Sequence, residues 1–324
     1  MCIRDSLYIG LSEDTINGKY SGAVFIYKEN SRDNWTLQQE IRPEDGEEFD
    51  RFGIQIEVSK DHLLVAASGD RSPPNKKESI YVYKRESDKW SYQNKIVPDS
   101  IRFAPKSYYS EFELIDQHIA FGPPDLSLYR IDNDRSEITK LNTPEYFPGS
   151  YYDLSAQAIT TLEMGRKRLF IRTLKREGEQ WVEQGETSIS NSDGLSCMDM
   201  INNQLIIAST SIDTSCPNCG GINIYEKNHD KWIKVQELAP ENLTTNSKFG
   251  HFMAAGERAF IVSDRNNNYL YTRNEEGFWQ LKEVFYGMHK RRYDCRFAIS
   301  EDKIFMKKSG ENQKEFMELW FYQF

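Results

Sequence analysis

One apolar strand, a loop, a second strand ending in an aromatic, a polar turn and a tryptophan recur as a unit about every 45–55 residues along this chain. The second copy shows it most fully: His62-Leu63-Leu64-Val65-Ala66-Ala67, then Ile80-Tyr81-Val82-Tyr83, the turn Arg85–Lys89, and Trp90. The same order recurs as Ala23–Tyr27 then Trp35, Ile222–Tyr225 then Trp232, and Tyr269–Tyr271 then Trp279. A shorter version runs Leu169–Leu174 then Trp181. In the third copy Tyr129 takes the aromatic place, and Glu137-Ile138 stands where the tryptophan is elsewhere. A unit of this size cannot bury its apolar face alone, so repeats spread over 324 residues imply one repeat-built domain. The period is that of β-propeller blades.

Each unit reads as four strands, a to d. Strand a is clearest at Phe52–Val58 and Phe249–Ala255, and a tight turn leads from it into strand b. These turns are Lys60-Asp61, Asp116-Gln117, Asn202-Asn203, Gly256-Glu257 and Glu301-Asp302, rich in residues that accept the positive φ of hairpins. Strand c carries the paired aromatics, and strand d opens at the tryptophan. Counting strand c near Val24, Tyr81, Leu128, Phe170, Ile224, Leu270 and Trp320 predicts an all-β, seven-bladed β-propeller of four-stranded blades. The first copy begins at a b strand, Leu7–Gly10, and the last ends on a c strand, Glu318–Tyr322. The expected ring is therefore truncated at its amino terminus, short of one d and one a strand. Met1–Ser6 fits nothing that follows and reads as a non-native scar, leaving residues 7–324 as a single propeller domain. Copies three and four are the weakest, with a blurred a–b hairpin across Tyr151–Met164. The tryptophans Trp35, Trp90, Trp181, Trp232 and Trp279 are expected at equivalent, largely buried places.

Composition excludes some roles. Hydrophobic residues make up 38% and mean hydropathy is −0.70, low values that short half-buried strands tolerate. A net charge of −9 opposes nucleic-acid binding, which draws on concentrated Lys and Arg. The one basic cluster, His289-Lys290-Arg291-Arg292, reads as a solvated loop. No apolar run approaches the roughly 20 residues of a membrane-spanning helix, and Met1–Ser6 lacks the apolar core of a signal peptide.

Arg51-Phe52-Gly53 and Lys248-Phe249-Gly250 open a-strands. Val65-Ala66-Ala67-Ser68, Ile207-Ala208-Ser209, Phe121-Gly122-Pro123-Pro124-Asp125 and Ser21-Gly22-Ala23-Val24-Phe25-Ile26-Tyr27 complete the pattern. Together these resemble the FG-GAP repeat family, which includes the propeller of integrin α subunits. The resemblance implies a β-propeller, an extracellular or cell-surface setting, and binding rather than catalysis. It departs from integrin-type repeats in one respect. A calcium loop between strands a and b must be long enough to wrap six to eight oxygen ligands, and here each readable a–b connection is a tight hairpin. No metal and no cofactor is expected.

Asp14, Asp70, Asp125, Asp213 and Asp264 each follow strand b, either as a ring of carboxylates or, more simply, as caps on backbone amides that start the b–c loop. Cys216-Pro217-Asn218-Cys219 lies in a b–c loop; a local disulfide in an oxidising compartment is the favoured reading, with free thiols next. A zinc site would need two more ligands nearby, and a thioredoxin-like role a βαβ setting. The motifs of serine hydrolases, zinc proteases and nucleotide-binding loops are absent. His251, beside Phe249-Gly250, is the histidine of most interest, and packing is its simpler role.

Two functions are carried forward. The leading one is a non-enzymatic extracellular or cell-surface adhesion propeller, recognising a protein or glycan through its b–c and d–a loops and forming part of a longer surface protein. The alternative is a propeller-fold lyase or glycoside hydrolase with a site over the central channel. Strand alternation puts the long b–c and d–a loops at one end of the blades, where Arg71, Lys76, Tyr108, Asp213, Arg265 and Arg292 are candidate ligand contacts.

Overall fold

The structure, a computed structural model, describes residues 2–3, 6–31, 34–69, 78–97, 112–115, 117–121, 127–132, 137–141, 151–154, 158–164, 168–178, 180–190, 195–212, 214, 216–229, 231–287, 296–299, 303–308 and 318–323. Among the described residues all regular structure is β-strand. The strands form antiparallel meanders, each pairing in chain order. The first is Cys2–Ile3, Ser6–Leu11, Ala23–Ser31 and Asn34–Ile41; the second is Ile56–Val58, His62–Ala67, Ser79–Glu86 and Lys89–Ile96. The third is Phe112–Ile115, His118–Phe121, Ser127–Ile131 and Ile138–Lys140; the fourth is Tyr151–Leu154, Ala158–Met164, Arg168–Glu177 and Gln180–Ser190. The fifth is Cys197–Ile201, Gln204–Ser209, Gly221–Asn228 and Lys231–Leu238; the sixth is Met253–Ala255, Ala259–Ser263, Asn268–Arg273 and Trp279–Phe285. A three-stranded sheet, Arg296–Ile299, Lys303–Lys308 and Glu318–Gln323, comes last.

The expectation of seven four-stranded blades is therefore corrected. Among the described residues six blades have four strands, and the final sheet has three. The first blade is also not short of its a strand, because Cys2 pairs with Leu7 and Ile3 with Ser6. A strand of two residues is too short to show alternation in sequence.

Packing divides the chain into two compact units. One comprises residues 1–150, 154–159 and 174–182; the other comprises 151–153, 160–173 and 183–324. Within the first, strand b of the second blade explains the continuous apolar run. Leu63, Val65 and Ala67 enter a cluster with Tyr8, Val24, Ile26, Phe52, Tyr81, Tyr83 and Trp90. Their neighbours Leu64 and Ala66 enter another with Ile80, Val82, Phe112, Ile119, Phe121 and Ile131. The two-residue period of the strand here divides apolar side chains between two apolar neighbours rather than between core and water. The second unit repeats this at the sixth blade. Phe260 and Val262 pack with Ile206, Ile224, Phe249 and Trp279, while Ala259 and Ile261 pack with Leu270, Ile304 and Met306.

The residues that open the second and sixth blades do not form the long a strands expected. Their ladders start only at Ile56 and Met253. Arg51 (φ 53°) and Lys248 (φ 60°), followed by Gly53 (φ 87°) and Gly250 (φ 89°), break the extended chain around each phenylalanine. Phe52 instead bridges Gly22 of the preceding blade, and Phe249 bridges Gly220, in isolated parallel contacts. The Phe52 N–H donates to Ser21 O at 3.0 Å and the Phe249 N–H to Cys219 O at 2.8 Å. The glycines are required there. A Cβ on Gly22 would stand on the Phe52 backbone, and one on Gly220 on the Phe249 backbone. The rings then meet strand c edge-on, Phe52 on Tyr81 at 5.2 Å and Phe249 on Tyr269 at 5.1 Å between centroids.

Strand d carries a bulge at one equivalent place in the first, second, fifth and sixth blades, opposite Ile26/Tyr27, Val82/Tyr83, Ile224/Tyr225 and Leu270/Tyr271. Beside it a glutamine reaches the next blade. Gln39 Nε2 donates to Trp90 O at 2.8 Å and the Trp90 N–H donates to Gln39 Oε1 at 2.8 Å. Gln236 holds the Trp279 backbone in the same way, at 2.6 and 3.0 Å. Trp90, Trp181, Trp232 and Trp279 are buried as expected, whereas Trp35 is half-buried.

Candidate functional site

In the first unit, polar side chains converge where strand c of the second blade starts and its strand d ends. The ladder sets Tyr81 opposite Lys95. The loop entering the second blade, after Asn34–Ile41, brings Asp45 to the pair. Tyr81 Oη donates to Asp45 Oδ1 at 2.9 Å, Lys95 Nζ to Asp45 Oδ2 at 2.7 Å, and Lys95 Nζ to Tyr81 Oη at 2.8 Å. The Lys95 ammonium also lies 4.5 Å from the centroid of the Tyr81 ring. The Asp45 side chain is 58% exposed, that of Lys95 28%, and Tyr81 as a whole only 3%. Tyr92, 59% exposed, sets its ring 6.4 Å from that of Tyr81 and 6.0 Å from that of Tyr83.

Electrostatics assigns each group a proton state. Partial burial pushes the Asp45 carboxyl up, but hydrogen bonds from Lys95 and Tyr81 pull it down further, so it stays below the usual carboxylate range and is ionised near neutrality. Burial, reinforced by the Asp45 charge, drives the Tyr81 phenol far above its ordinary value. Tyr81 is thus a fixed proton donor and cannot serve as a base. The arrangement is one anionic acceptor, partly open to solvent, with two proton donors around it.

A second ionic contact lies at the same loop end of the first blade. Arg42 donates through Nη1 to Asp14 Oδ1 at 2.6 Å and through Nε to Glu40 Oε1 at 2.5 Å. The Arg42 hydrogen bond, opposed by burial, holds the Asp14 carboxyl below its ordinary range. Asp14 also accepts the Ile16 N–H at 3.0 Å, and Asp264 accepts those of Asn266 and Asn267, each at 2.7 Å. Both therefore start the b–c loop as backbone caps. Asp70, Asp125 and Asp213 lie outside the described residues.

Of the candidate contacts, Arg71, Lys76, Tyr108, Asp213 and Arg292 lie outside the described residues. Arg265 is exposed, its N–H donating to Ser247 O at 3.2 Å. His251 precedes the a strand of its blade, not on it as expected, with its ring 4.5 Å from that of Phe252. Cys216 and Cys219 are joined in a disulfide, with Cα atoms 5.4 Å apart. Among the described residues there is no group of three or more His, Cys, Asp or Glu able to hold a metal, and no helix is long and apolar enough to cross a membrane.

Sequence reasoning passed over Asp45 and Lys95. Tyr81 looked like one more core aromatic of Ile80-Tyr81-Val82-Tyr83. The usable signal was the hairpin of residues 79–96: allowing for one bulge, its register already faces Tyr81 with Lys95.

The Phe52–Gly22 bridge and the ring pair on Tyr81 give physical form to the sequence pattern around Arg51-Phe52-Gly53, and that stretch matches a known family. Residues 35–83 match the FG-GAP repeat. No curated protein matches the chain by sequence. Several solved structures share its fold at low identity. A Lactobacillus plantarum protein matches with a TM-score of 0.58 at 11% identity, over 98% of this chain and 95% of that one. A candidate 6-phosphogluconolactonase from Bacteroides uniformis matches with a TM-score of 0.57 at 8% identity, over 98% of this chain and 95% of that one. The periplasmic gluconolactonase of Pseudomonas aeruginosa matches with a TM-score of 0.54 at 12% identity, over 87% of this chain and 82% of that one.

The likeness corrects the functional expectation. A non-enzymatic adhesion role was inferred from the kinship of the repeat with integrin propellers, and with it the view that the chain is not an enzyme. The same fold is shared with proteins named as lactonases. The repeat residues Gly22, Phe52 and Tyr81 are engaged in joining blades, which is a structural task compatible with catalysis.

Proposed function

We propose that this chain is a propeller-fold hydrolase acting on a small sugar-derived ester, with sugar lactones as its substrate class. The observation that carries this reading is the Asp45–Tyr81–Lys95 cluster, an ionised, half-open carboxylate within hydrogen-bond reach of two donors. The likeness in fold to proteins named as gluconolactonases supports the substrate class. Opening a lactone adds water to the carbonyl carbon and breaks the ring C–O bond, giving a hydroxy acid. Asp45 is placed to orient the water and accept its proton. The Lys95 ammonium faces the oxyanion that develops on the carbonyl oxygen. Tyr81 keeps its proton and its hydrogen bond holds the carboxylate in place, and the proton that Asp45 takes from the water passes on to the departing ring oxygen. A secreted or periplasmic setting fits the Cys216–Cys219 disulfide, since such bonds persist in oxidising compartments.

The test is lactone opening by purified protein in a pH-stat, with and without added divalent cation, for the wild type, Asp45→Asn and Lys95→Met. Removal of a general base typically costs about 10²–10⁴-fold in rate. The reading expects catalysis above the spontaneous rate and a loss of that order in Asp45→Asn. A wild type no faster than buffer under either condition sinks it.

A further inference from the structure

Two junctions between blades, one in each unit, are built to the same plan and held by different chemistry. In the first, the b–c loop ending Lys19-Tyr20-Ser21-Gly22 receives the Phe49 N–H at Lys19 O (2.7 Å) and the Phe52 N–H at Ser21 O (3.0 Å). In the second, Pro217-Asn218-Cys219-Gly220 receives the Asn246 N–H at Pro217 O (3.1 Å) and the Phe249 N–H at Cys219 O (2.8 Å). Tyr20 and Asn218 correspond, with φ of 55° and 51°. The first junction is clamped by rings and cations. Tyr20 and Phe49 stand 5.9 Å apart, with Lys19 5.5 Å and Arg51 5.4 Å from the Tyr20 ring. The second has Asn218 and Asn246 in those two places and no such ring pair. What it has instead is the Cys216–Cys219 disulfide, closing the turn whose carbonyls receive the next blade.

We propose that Cys216–Cys219 is a thiol–disulfide exchange site whose reduction by a dithiol releases the segment 243–249 from its blade junction. Access favours this: Cys216 is half-exposed while Cys219 is fully buried, so an incoming thiolate reaches Cys216 first. The attack forms a mixed disulfide at Cys216 Sγ and expels Cys219 as a thiolate, which takes up a proton. The second thiol of the dithiol then displaces Cys216 as a thiol, and the reductant leaves as its own disulfide, so two electrons and two protons pass to the protein. A ring closed over so few residues restricts the unfolded chain little. Its effect is local: it holds Pro217 O and Cys219 O in place for Asn246 and Phe249. Cys216 Sγ lies 3.5 Å from Leu243 O, and the Leu243 side chain packs against the core cluster of the second unit. The released stretch therefore ends at that core. The inference is independent of any hydrolase activity.

The experiment is amide hydrogen exchange on the whole chain before and after treatment with dithiothreitol under native conditions, with mass and alkylation confirming two new thiols. The first junction serves as an internal control. The expected result is exchange at Asn246 and Phe249 faster by about tenfold or more, with Phe49 and Phe52 unchanged. The Cys216→Ser/Cys219→Ser double variant should reproduce the reduced pattern. A disulfide that resists the dithiol overturns the proposal. So does unchanged exchange at Asn246 and Phe249 after complete reduction, or equal acceleration at both junctions.

Discussion

Replacing Gln236 with alanine removes two hydrogen bonds that cross from strand d of the fifth blade to the backbone of Trp279. One bond is donated to Trp279 O at 2.6 Å and the other accepted from the Trp279 N–H at 3.0 Å. Each such bond contributes about 0.5–1.5 kcal/mol net, and a buried donor left unpaired costs about 1–3 kcal/mol. Trp279 is only 2% exposed, so water cannot easily replace the lost partner. The expected loss is about 2–3 kcal/mol for Gln236→Ala. Gln39→Ala should lose a similar amount, because Gln39 makes the same pair with Trp90, which is 6% exposed. Gln236→Glu sharpens the argument. It keeps an acceptor for the N–H but turns a carboxylate oxygen toward Trp279 O, so it should be no more stable than the alanine variant. The assay is urea unfolding followed by tryptophan emission. Gln39 and Gln236 lie in different compact units, so each variant should shift the transition of its own unit. Losses below about 0.5 kcal/mol for both alanine variants would refute the clasp, since that is the size of ordinary surface substitutions.

Gly22→Ala and Gly220→Ala should each destabilise by about 3 kcal/mol or more, combining positive-φ strain with overpacking against the phenylalanine backbone; thermal melts check this, and a neutral result would remove the glycine–phenylalanine bridge from the account. Trp90→Ala and Trp232→Ala should each lose about 3–5 kcal/mol in denaturant titrations. The Asp14–Arg42 pair predicts a pH effect of definite sign. The folded pKa of Asp14 lies below its unfolded value of about 3.9, so the pair stabilises above that pH and the benefit is lost as pH falls through the folded pKa. The stability gap between wild type and Arg42→Met should be widest near neutrality and close below about pH 4; urea titrations across that range and a carboxyl NMR titration of Asp14 would show it.

Strands b, c and d were legible in the sequence because each carries a strong local mark. Leu63–Ala67 is a continuous apolar run, Ile80–Tyr83 pairs aromatics, and Trp90 opens the edge strand one residue after its first member. Strand a was read too long. Phe52 and Phe249 look like strand residues, but they face a neighbouring blade across a glycine, and no local pattern distinguishes that role. The two-residue strand Cys2–Ile3 fell below any periodic signal. For the candidate site, two of its members follow from the ladder of one hairpin. Asp45 arrives from a separate loop, and its place beside Lys95 depends on how that loop folds back, which no spacing encodes. The repeat pattern described how blades join, and a function inferred from that pattern alone was drawn from residues engaged in packing.

The measurement that tests the central claim most directly is the initial rate of sugar-lactone opening by wild type and Asp45→Asn at equal concentration and matched circular dichroism. The account predicts a wild-type rate clearly above the uncatalysed reaction and a variant rate lower by about 10² or more. Equal rates for the two proteins, or a wild type indistinguishable from buffer, would contradict it.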